Sequence, residues 1–477
     1  MKVGLVDVMD KRRTSNGPNV AIAALAGYLA ANGHEVGVLD LFHSRRGERR
    51  RFLESAWGLV GVSASSFDFS VGLRIATEIK RRTGAPIVFG GPHASVARGD
   101  VLAEPAIDYA IYGEGEIPLL ALAGALEGGG PPAAGRLGAI KGLVFRDGRR
   151  VVVNEPQPRI ADLDALPPPA YHLLPMDRYS EHHLSTSRGC PFACGFCASG
   201  AILGKKWIAR SPEKIVEEME GLVRDFGKKT FVIVDDTFNL DIERVKRFCR
   251  LLLERRLRIS WLLMAGIRAD RTEPEMLRLM KASGCLDFGI GVESSDPTVL
   301  RNVGKGETVE DISRGIRLIK EAGFRLHGSF MIGNPGDTLE TVRRSIEFAK
   351  AQALDGIFVY HALPFPSTRL WEFVGGQGRF LRTDYINFDK TVREPVFETP
   401  EFPRADRVEA YRLALEAFPG ADPVGPEGPP LARYARALYR ELRDHGVRSA
   451  ARRAGSFLAR RAKGKAAPAL NTRAPPG

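Results

Sequence analysis

The sequence predicts an α/β protein in which a doubly wound parallel sheet precedes a partial TIM-type βα barrel. From Met1 to about Leu126, and again from about His182, apolar segments of strand length alternate with longer amphipathic segments. This alternation is typical of parallel strands that are connected by helices. A flexible stretch, "EGGGPPAAG", separates the two blocks and indicates a linker. The 477 residues are enough for two or three domains.

The first block begins with a strand, "KVGLVDV", and a helix, "NVAIAALAGYLAANG", that ends at Gly33. Three more strands follow in "HEVGVLD", "WGLVGVSA" and "APIVFGG", and "IDYAIYGEGE" leads into a last helix. Sheets of this kind bind ligands at the carboxyl ends of their strands. The small and polar residues at those ends are Ser63, Ser65, Ser66, Gly90, Gly91 and "GEGE" at 113–116.

The linker and the second block complete the predicted architecture. In the linker, "GLVFRDGRRVVVNEP" predicts a hairpin that turns at Asp147 and Gly148. Six strand–helix units then predict a full or partial barrel, whose active site would lie at the C-terminal ends of its strands. We expect a sheet domain at 1–126, the linker at 127–178, the barrel at 179–385, a C-terminal extension at 386–430 and a basic tail at 431–477.

The net charge of +12 is concentrated at one end of the chain. Residues 431–477 contain twelve Arg or Lys and two acidic residues, so this tail carries +10 and the rest of the chain about +2. The core is therefore not expected to bind nucleic acid. Apolar residues at helical spacing predict a solvated terminal helix with a disordered end. A helix that docks on anionic lipid or on an acidic partner is the alternative.

The sequence gives no indication of export or of a membrane span. The N-terminal "MKVGLVDVMD" is typical of a buried strand and not of a signal peptide, and no run of about 18 apolar residues occurs. The five cysteines, three of them within eight residues, do not indicate a disulfide framework. We therefore expect a protein of the reducing cytoplasm.

Three of the cysteines form a compact group directly after the first strand of the predicted barrel. Cys190, Cys194 and Cys197 lie in "RGCPFACGFCASG", with the spacing C-x3-C-x2-C. Three thiolates on one loop can hold three irons of a four-iron, four-sulfur cluster and leave the fourth iron open to a substrate. A zinc site with His182 or His183 as fourth ligand is the alternative, although the spacing is unusual for zinc.

This cysteine spacing, with Phe196 directly before the last cysteine, resembles the radical S-adenosylmethionine enzymes. In that family the open iron chelates S-adenosylmethionine, and one electron cleaves it to methionine and a 5′-deoxyadenosyl radical. The first block and the linker resemble the cobalamin-dependent subgroup, whose first domain is a Rossmann-like cobalamin-binding domain. The other motifs that carry the likeness are "DDTFN" (235–239), "GIRAD" (266–270), "GVESS" (291–295), "MIGNPGDT" (331–338), "PFPST" (364–368), "LDALPPPAY", "LVGVSASS", "GGPHAS" and "GEGE".

The resemblance implies three cofactors: a [4Fe-4S] cluster, S-adenosylmethionine and cobalamin. Cys190, Cys194 and Cys197 would bind the cluster, Phe196 would contact S-adenosylmethionine, and the turn at 333–336 would let the backbone approach its adenosine.

Four barrel residues are further candidates. Glu293 would accept hydrogen bonds from the amino group of S-adenosylmethionine, and Arg268 would pair with its carboxylate. The alternatives are that Glu293 caps a helix and that Arg268 bridges strands. Asp235 and Asp236 are expected either to cap helices or to face the cavity.

Cobalamin would lie on the first domain. Ser63, Ser65, Gly90 and Gly91 would contact its corrin ring and nucleotide tail. The motif D-x-H-x-x-G is missing and His93 stands in the wrong context for a cobalt ligand, so the resemblance implies no protein histidine on the metal. A sheet domain that has lost cobalamin is the alternative.

The implied activity is methyl transfer to an unactivated carbon, or less often phosphorus, of a small-molecule or lipid substrate. One S-adenosylmethionine would methylate cob(I)alamin, and a second would yield the radical that abstracts hydrogen from the substrate. An external electron donor of the flavodoxin or ferredoxin type is implied. A cobalamin-dependent cyclase or rearrangement enzyme is the alternative, and an iron–sulfur or cobalamin-binding regulator is a minor one. Methylthiotransferases are disfavoured because residues 1–189, where they bind a second cluster, contain no cysteine.

Overall fold

The structure is a computed structural model that describes residues 1–9, 16–128, 132–263, 266–383, 393–419 and 421. The basic tail proposed for 431–477 lies outside these residues. Within them, no helix combines the length and the apolar character that crossing a bilayer requires.

The first sheet has the predicted doubly wound arrangement. Its strands are β1 (Lys2–Asp7), β2 (Glu35–Asp40), β3 (Leu59–Ser63), β4 (Ile87–Gly90), β5 (Tyr109–Ile111), β6 (Leu143–Asp147) and β7 (Arg150–Val153). They are ordered β2-β1-β3-β4-β5-β6-β7; the first five are parallel and the last two antiparallel. The predicted hairpin thus forms, and it extends the sheet from β5 where we had expected a part of the linker.

Helices cover both faces of this sheet. They are α1 (Val20–Ala31), α2 (Arg46–Glu54), α3 (Phe69–Thr83), α4 (Pro92–Ala97), α5 (Glu116–Leu126) and α6 (Ala134–Gly138). Asn19 begins α1, because its side chain accepts hydrogen bonds from the backbone N–H groups of Ala21 and Ile22. One apolar core lies on each face, as expected for a sheet with helices on both sides.

The second block forms an open βα barrel, which confirms the predicted fold class. Its strands are β8 (His182–Leu184), β9 (Ser187–Arg188), β10 (Ile208–Ala209), β11 (Thr230–Ile233), β12 (Ser260–Leu263), β13 (Phe288–Glu293), β14 (Leu326–Ile332) and β15 (Gly356–His361). The parallel groups β8-β11-β12 and β13-β14-β15 meet at a bridge between Trp261 and Cys285. Over the described ranges, β15 does not pair with β8, so the barrel is partial.

Amphipathic helices surround the barrel and a short extension closes one side. The helices are α7 (Ser199–Ile202), α8 (Pro212–Phe226), α9 (Ile242–Glu254), α10 (Pro274–Ala282), α11 (Pro297–Val303), α12 (Val309–Glu321), α13 (Leu339–Ala351), α14 (Arg369–Gln377) and α15 (Arg404–Ala417), and two short strands are β16 (Arg379–Phe380) and β17 (Phe397–Glu398). Helix α15 packs on α13 and β15. Beyond it, the carbonyl of Ala421 accepts a hydrogen bond of 3.2 Å from the N–H of Val359 in β15.

Candidate functional site

The cysteine loop leaves the barrel at a glycine that no other residue can replace without strain. Gly189 has φ +84°, and a Cβ built on it would lie 2.5 Å from the carbonyl oxygen of Lys206. The loop then turns back on itself, because the N–H of Cys197 donates to the carbonyl of Cys194 at 3.1 Å. The geometry therefore brings the cysteines at the two ends of "CGFC" close together.

Segments that follow β13 and β15 hold this loop from outside. The N–H of Gly195 donates to Val303 O (2.7 Å), and its carbonyl accepts from the N–H of Leu370 (2.9 Å). The guanidinium of Arg369 donates to the carbonyls of Ala193 and Val303. Two separate segments of the barrel mouth thus position the cysteine loop.

The environment of the three thiols fits an iron–sulfur cluster. Burial raises the pKa of Cys194 to about 12 and also raises the pKa of Cys197, so thiolates here require positive charge such as metal ions supply. Among the described residues, no three His, Cys, Asp or Glu side chains converge on a single-ion site. A cluster does not require such convergence, because each thiolate binds a different iron.

The histidines considered for zinc lie within β8 and not on the cysteine loop. The ring of His182 packs 4.5 Å from Tyr171 and 5.9 Å from Phe231, measured between centroids. Burial there lowers its pKa to about 3. His183 lies 3.8 Å from the carboxylate of Glu181.

Glu293 is strained at the carboxyl end of β13. Its φ is +65°, and the register between β13 and β14 shifts between Gly291 and Glu293. The side chain is only 11% exposed, and burial raises its pKa although Lys305 Nζ lies 3.8 Å away. Residues held in the left-handed region cluster at functional sites, and this one presents a carboxylate at the barrel mouth.

Arg268 is fully engaged within the protein. Its guanidinium donates to both carboxylate oxygens of Asp270 (2.9 and 3.0 Å) and to the carbonyl of Lys305 (2.9 Å). It also stacks on Phe192 of the cysteine loop. The structure thus gives Arg268 a bracing role, and its expected contact with a ligand carboxylate stays a prediction.

The neighbouring aspartates have different surroundings. Asp235 is buried and accepts hydrogen bonds from Thr186 and from Ser187 Oγ (2.7 Å), so it organises the chain ahead of the cysteines. Asp236 lines a cavity, and its carboxylate accepts from Ser199 Oγ at 3.0 Å. Burial raises the pKa of both carboxyls.

A cavity of about 710 Å³ lies between the carboxyl ends of the first sheet and the barrel mouth. Ser63, Gly90 and Gly91 line it, but Ser65 does not and instead donates to Asp68 at 2.6 Å. His93 is outside the lining; its ring lies 3.1 Å from Ser66 Oγ, and burial lowers its pKa to about 4. The other walls come from α1, the proline-rich part of the linker and α8.

A second cavity, of about 560 Å³, lies on the other side of the cysteine loop. Phe196 lines it together with Asn334, Pro335 and Gly336 of the turn after β14. The structure therefore brings together two of the predicted contacts to S-adenosylmethionine. Gly333, with φ +99°, lies instead against Arg407, and a Cβ built on this glycine would collide with the Nη1 atom of that side chain.

Sequence reasoning missed a residue that joins the two domains at this site. Arg188, two residues before Cys190, donates to Glu114 (3.0 Å) and to Glu116 (2.7 Å) in the "GEGE" loop. It also missed Lys305, which lies 3.0 Å from Glu307 and close to Glu293. The glutamates that Arg188 contacts are 74 and 72 residues away, and Glu293 lies on a different element from Lys305, so no local pattern indicated these two contacts.

Comparison with known proteins identifies both blocks. Residues 184–349 match the model of the radical SAM superfamily, and residues 7–123 match that of the B12 binding domain. An uncharacterised methyltransferase of Pyrococcus horikoshii is 31% identical over 85% of this chain and 88% of its own length. An anaerobic magnesium-protoporphyrin IX monomethyl ester cyclase of Rubrivivax gelatinosus is 26% identical over 80% of this chain and 70% of its own length.

A solved structure has a similar fold. The radical S-adenosylmethionine methyltransferase TsrM from Kitasatospora setae, solved with cobalamin and a [4Fe-4S] cluster, matches with a TM-score of 0.70 and 23% identity. The match covers 87% of this chain and 88% of that one. Both domains are therefore found together in a known architecture.

Proposed function

Because the chain belongs to the cobalamin-dependent radical S-adenosylmethionine enzymes, as its cysteine spacing and the motifs of its first block and linker predicted, we propose that it methylates an unactivated carbon of a small-molecule or lipid substrate. The observation that carries this proposal is the position of the 710 Å³ cavity. Its walls combine Ser63 and Gly91 of the B12-binding domain with Arg188 and Asp236 of the barrel. A ligand in this cavity would lie against both domains.

Cys190, Cys194 and Cys197 would hold the [4Fe-4S] cluster. When bound, the cluster supplies the electron that cleaves S-adenosylmethionine, and cobalamin supplies the methyl group. The chain holds the loop through the backbone of Gly195 and the guanidinium of Arg369, which fixes the position of Cys194 between them and the rest of the loop.

Glu293 would accept hydrogen bonds from the amino group of S-adenosylmethionine. The second cavity would bind the adenosine part of the same ligand. The strained backbone and the buried carboxylate of Glu293 support the first assignment. Phe196 and Gly336, which both line the second cavity, support the placement of adenosine there. Arg268 would position the loop through Phe192, with contact to the ligand carboxylate as its second proposed role.

Ser63, Gly90 and Gly91 would contact cobalamin at the strand ends. Gly91 has φ +86°, and a Cβ on it would lie 2.8 Å from Ser63 Oγ, so only glycine leaves this wall of the cavity open. Ser65 would act indirectly, by fixing the turn that follows Ser63. His93 packs on Phe69, which supports binding of cobalamin without a protein histidine on cobalt.

The proposed cellular role has three further features. The cleavage of S-adenosylmethionine requires one electron from outside, for which a flavodoxin or ferredoxin would serve. The five free cysteines support a cytoplasmic location. Contact of the basic tail with anionic lipid or an acidic partner is proposed from its charge alone.

A cyclase that uses the same cofactors without methyl transfer is the second candidate, favoured by the similarity to the Rubrivivax gelatinosus enzyme. The test is an anaerobic incubation of reconstituted protein with hydroxocobalamin, a reductant and S-adenosylmethionine, followed by mass spectrometry. Formation of both S-adenosylhomocysteine and 5′-deoxyadenosine, the latter lost in Cys194→Ala, is expected for the methyltransferase. Formation of 5′-deoxyadenosine without S-adenosylhomocysteine would support the cyclase. If neither compound formed, both proposed activities would be refuted.

A further inference from the structure

Four charged side chains from three segments meet at the boundary between the two domains. Arg188 of β9 donates to Glu114 and Glu116, and Arg159 of the linker has its Nε 3.0 Å from Glu114. The same carboxylate of Glu114 accepts from the backbone N–H of Ile160 at 2.8 Å. We refer to Arg159, Arg188, Glu114 and Glu116 as the boundary network.

The boundary network is buried. The side chains of Glu114 and Glu116 are 2% and 5% exposed, and that of Arg188 is 17% exposed. Removing one partner from such a set leaves an uncompensated buried charge, which costs more than the intact pairs contribute. The four side chains are therefore expected to stay together when either domain shifts.

Its position connects two binding sites. Glu114, Glu116 and Arg188 line the 710 Å³ cavity. Arg188 is also two residues from Cys190 and pairs with β10. Arg188 thus contributes its side chain to the cavity wall and its backbone to the strand that leads into the cluster loop.

We propose that Arg188 is a positioning residue that couples cobalamin binding in this cavity to the conformation of the cysteine loop; this rests on the proposed function. A ligand against the cavity wall restrains Glu114 and Glu116, and a cluster restrains Cys190. Both events restrict Arg188, one through its side chain and the other through the backbone that leads to Cys190, so whichever ligand binds second loses less conformational entropy. The coupling is reciprocal: the cluster strengthens cobalamin binding by the factor by which cobalamin strengthens cluster retention, on the order of 10.

A structural tether between the domains would behave differently, and the chain contains a matched control. Arg178 of the linker forms a bidentate pair with Glu48 of α2, with both distances 2.7 Å. This pair also joins the linker to the first domain, but neither residue lines the cavity. Loss of a tether alone lowers cobalamin affinity equally with and without the cluster.

The experiment measures the dissociation constant of hydroxocobalamin by absorbance in the full chain, with the cluster present and in the cluster-free Cys194→Ala background. We expect the ratio of the two constants to be on the order of 10 in the otherwise unchanged protein and in Arg178→Gln, and close to 1 in Arg188→Gln. Arg188→Lys, which keeps the charge but cannot form the fork, is expected to give an intermediate ratio. Thermal melting of each variant verifies that it folds.

The outcomes separate this inference from the proposed function. Suppose that hydroxocobalamin binds. If the ratio of its two dissociation constants is already 1 with Arg188 in place, or if it stays near 10 in both Arg188 variants, the coupling role is wrong and the proposed function stands. If hydroxocobalamin does not bind at all, the proposed function is wrong and the inference fails with it.

Discussion

The guanidinium carbon of Arg268 lies 3.5 Å from the centroid of the Phe192 ring, so an arginine that follows β12 stacks directly on the cysteine loop. The same guanidinium is held in plane by its forked contact with Asp270. The conformation of the chain between Cys190 and Cys194 therefore depends on a side chain from another strand of the barrel.

Replacement of Arg268 by Met is expected to release the loop. The variant loses the stacking on Phe192 and leaves Asp270 without its guanidinium partner, which lowers the free energy of unfolding by about 3 kcal/mol. Iron and acid-labile sulfide per chain, measured after reconstitution, should fall. Arg271→Met, at an exposed neighbour, is the control. Full iron content with weakened S-adenosylmethionine binding would instead assign Arg268 to the ligand carboxylate.

Substitution of Glu293 by Gln is expected to weaken S-adenosylmethionine binding without loss of iron. The amide keeps the shape of the side chain but removes the negative charge that an amino group would contact. A hydrogen bond to a charged group contributes about 1.5–3 kcal/mol, so affinity should fall roughly 10- to 100-fold. Equilibrium dialysis measures it, with Glu310→Gln, exposed on α12, as the control. Unchanged affinity would remove Glu293 from the binding site.

Substitution of Gly91 by Ala is expected to impair cobalamin binding selectively. The added Cβ would lie 2.8 Å from Ser63 Oγ and 3.1 Å from the carbonyl oxygen of Ala64. Ser63 would have to shift, which changes the shape of the cavity at this wall. Gly84→Ala controls for a positive φ, because Gly84 has φ +70° and no atom within 4 Å of an added Cβ. Its ψ of 1° strains alanine less than the ψ of −168° at Gly91, so the melting temperature of each variant is measured beside its affinity. We expect hydroxocobalamin affinity to fall only at Gly91. Equal loss in both variants would indicate general backbone strain.

Asp337 is expected to make stability depend on pH. Burial raises its pKa to about 6, although Thr341 and the N–H of Gly333 donate to it. The raised pKa favours the protonated form in the folded state, so its stabilising contribution is present below about pH 4 and is lost as the pH rises to 6. The loss is about 2–3 kcal/mol. Melting temperatures of the unchanged protein and Asp337→Asn should therefore diverge across this range, with the variant relatively more stable at pH 7. Parallel curves would contradict the assignment.

The fold was predictable because its signals are local. Strands of the first sheet alternate with helices, of which α3 is amphipathic as expected and α1 and α5 are apolar nearly all round. The cysteine spacing marks the first loop of the barrel. Helix α2 was missed because "RGERRRFLE" contributes only Phe52 and Leu53 to the core and lacks a continuous apolar stripe. The hairpin was recognised, but its pairing with β5 depends on tertiary packing.

The site was predictable only in part. Ser63, Gly90 and Gly91 line the cavity, as expected for residues that follow parallel strands. Ser65 does not line it, because its hydroxyl donates to the carboxylate of Asp68. The S-x-x-D pattern that pairs these two residues is visible in the sequence. Arg188 with Glu114, and Lys305 with Glu293, are pairs brought together by folding, and a single sequence contains no signal for them.

The hydrogen bond from Val359 to Ala421 has a consequence for self-association. A partial barrel leaves β15 with one side unpaired, and an unpaired strand edge is a template for β-pairing with another chain. Here Ala421 of the same chain accepts the hydrogen bond of one edge residue, Val359, and α15 packs against β15. Ala421 and α15 thus cover part of this edge, where they hinder the approach of a strand from another molecule.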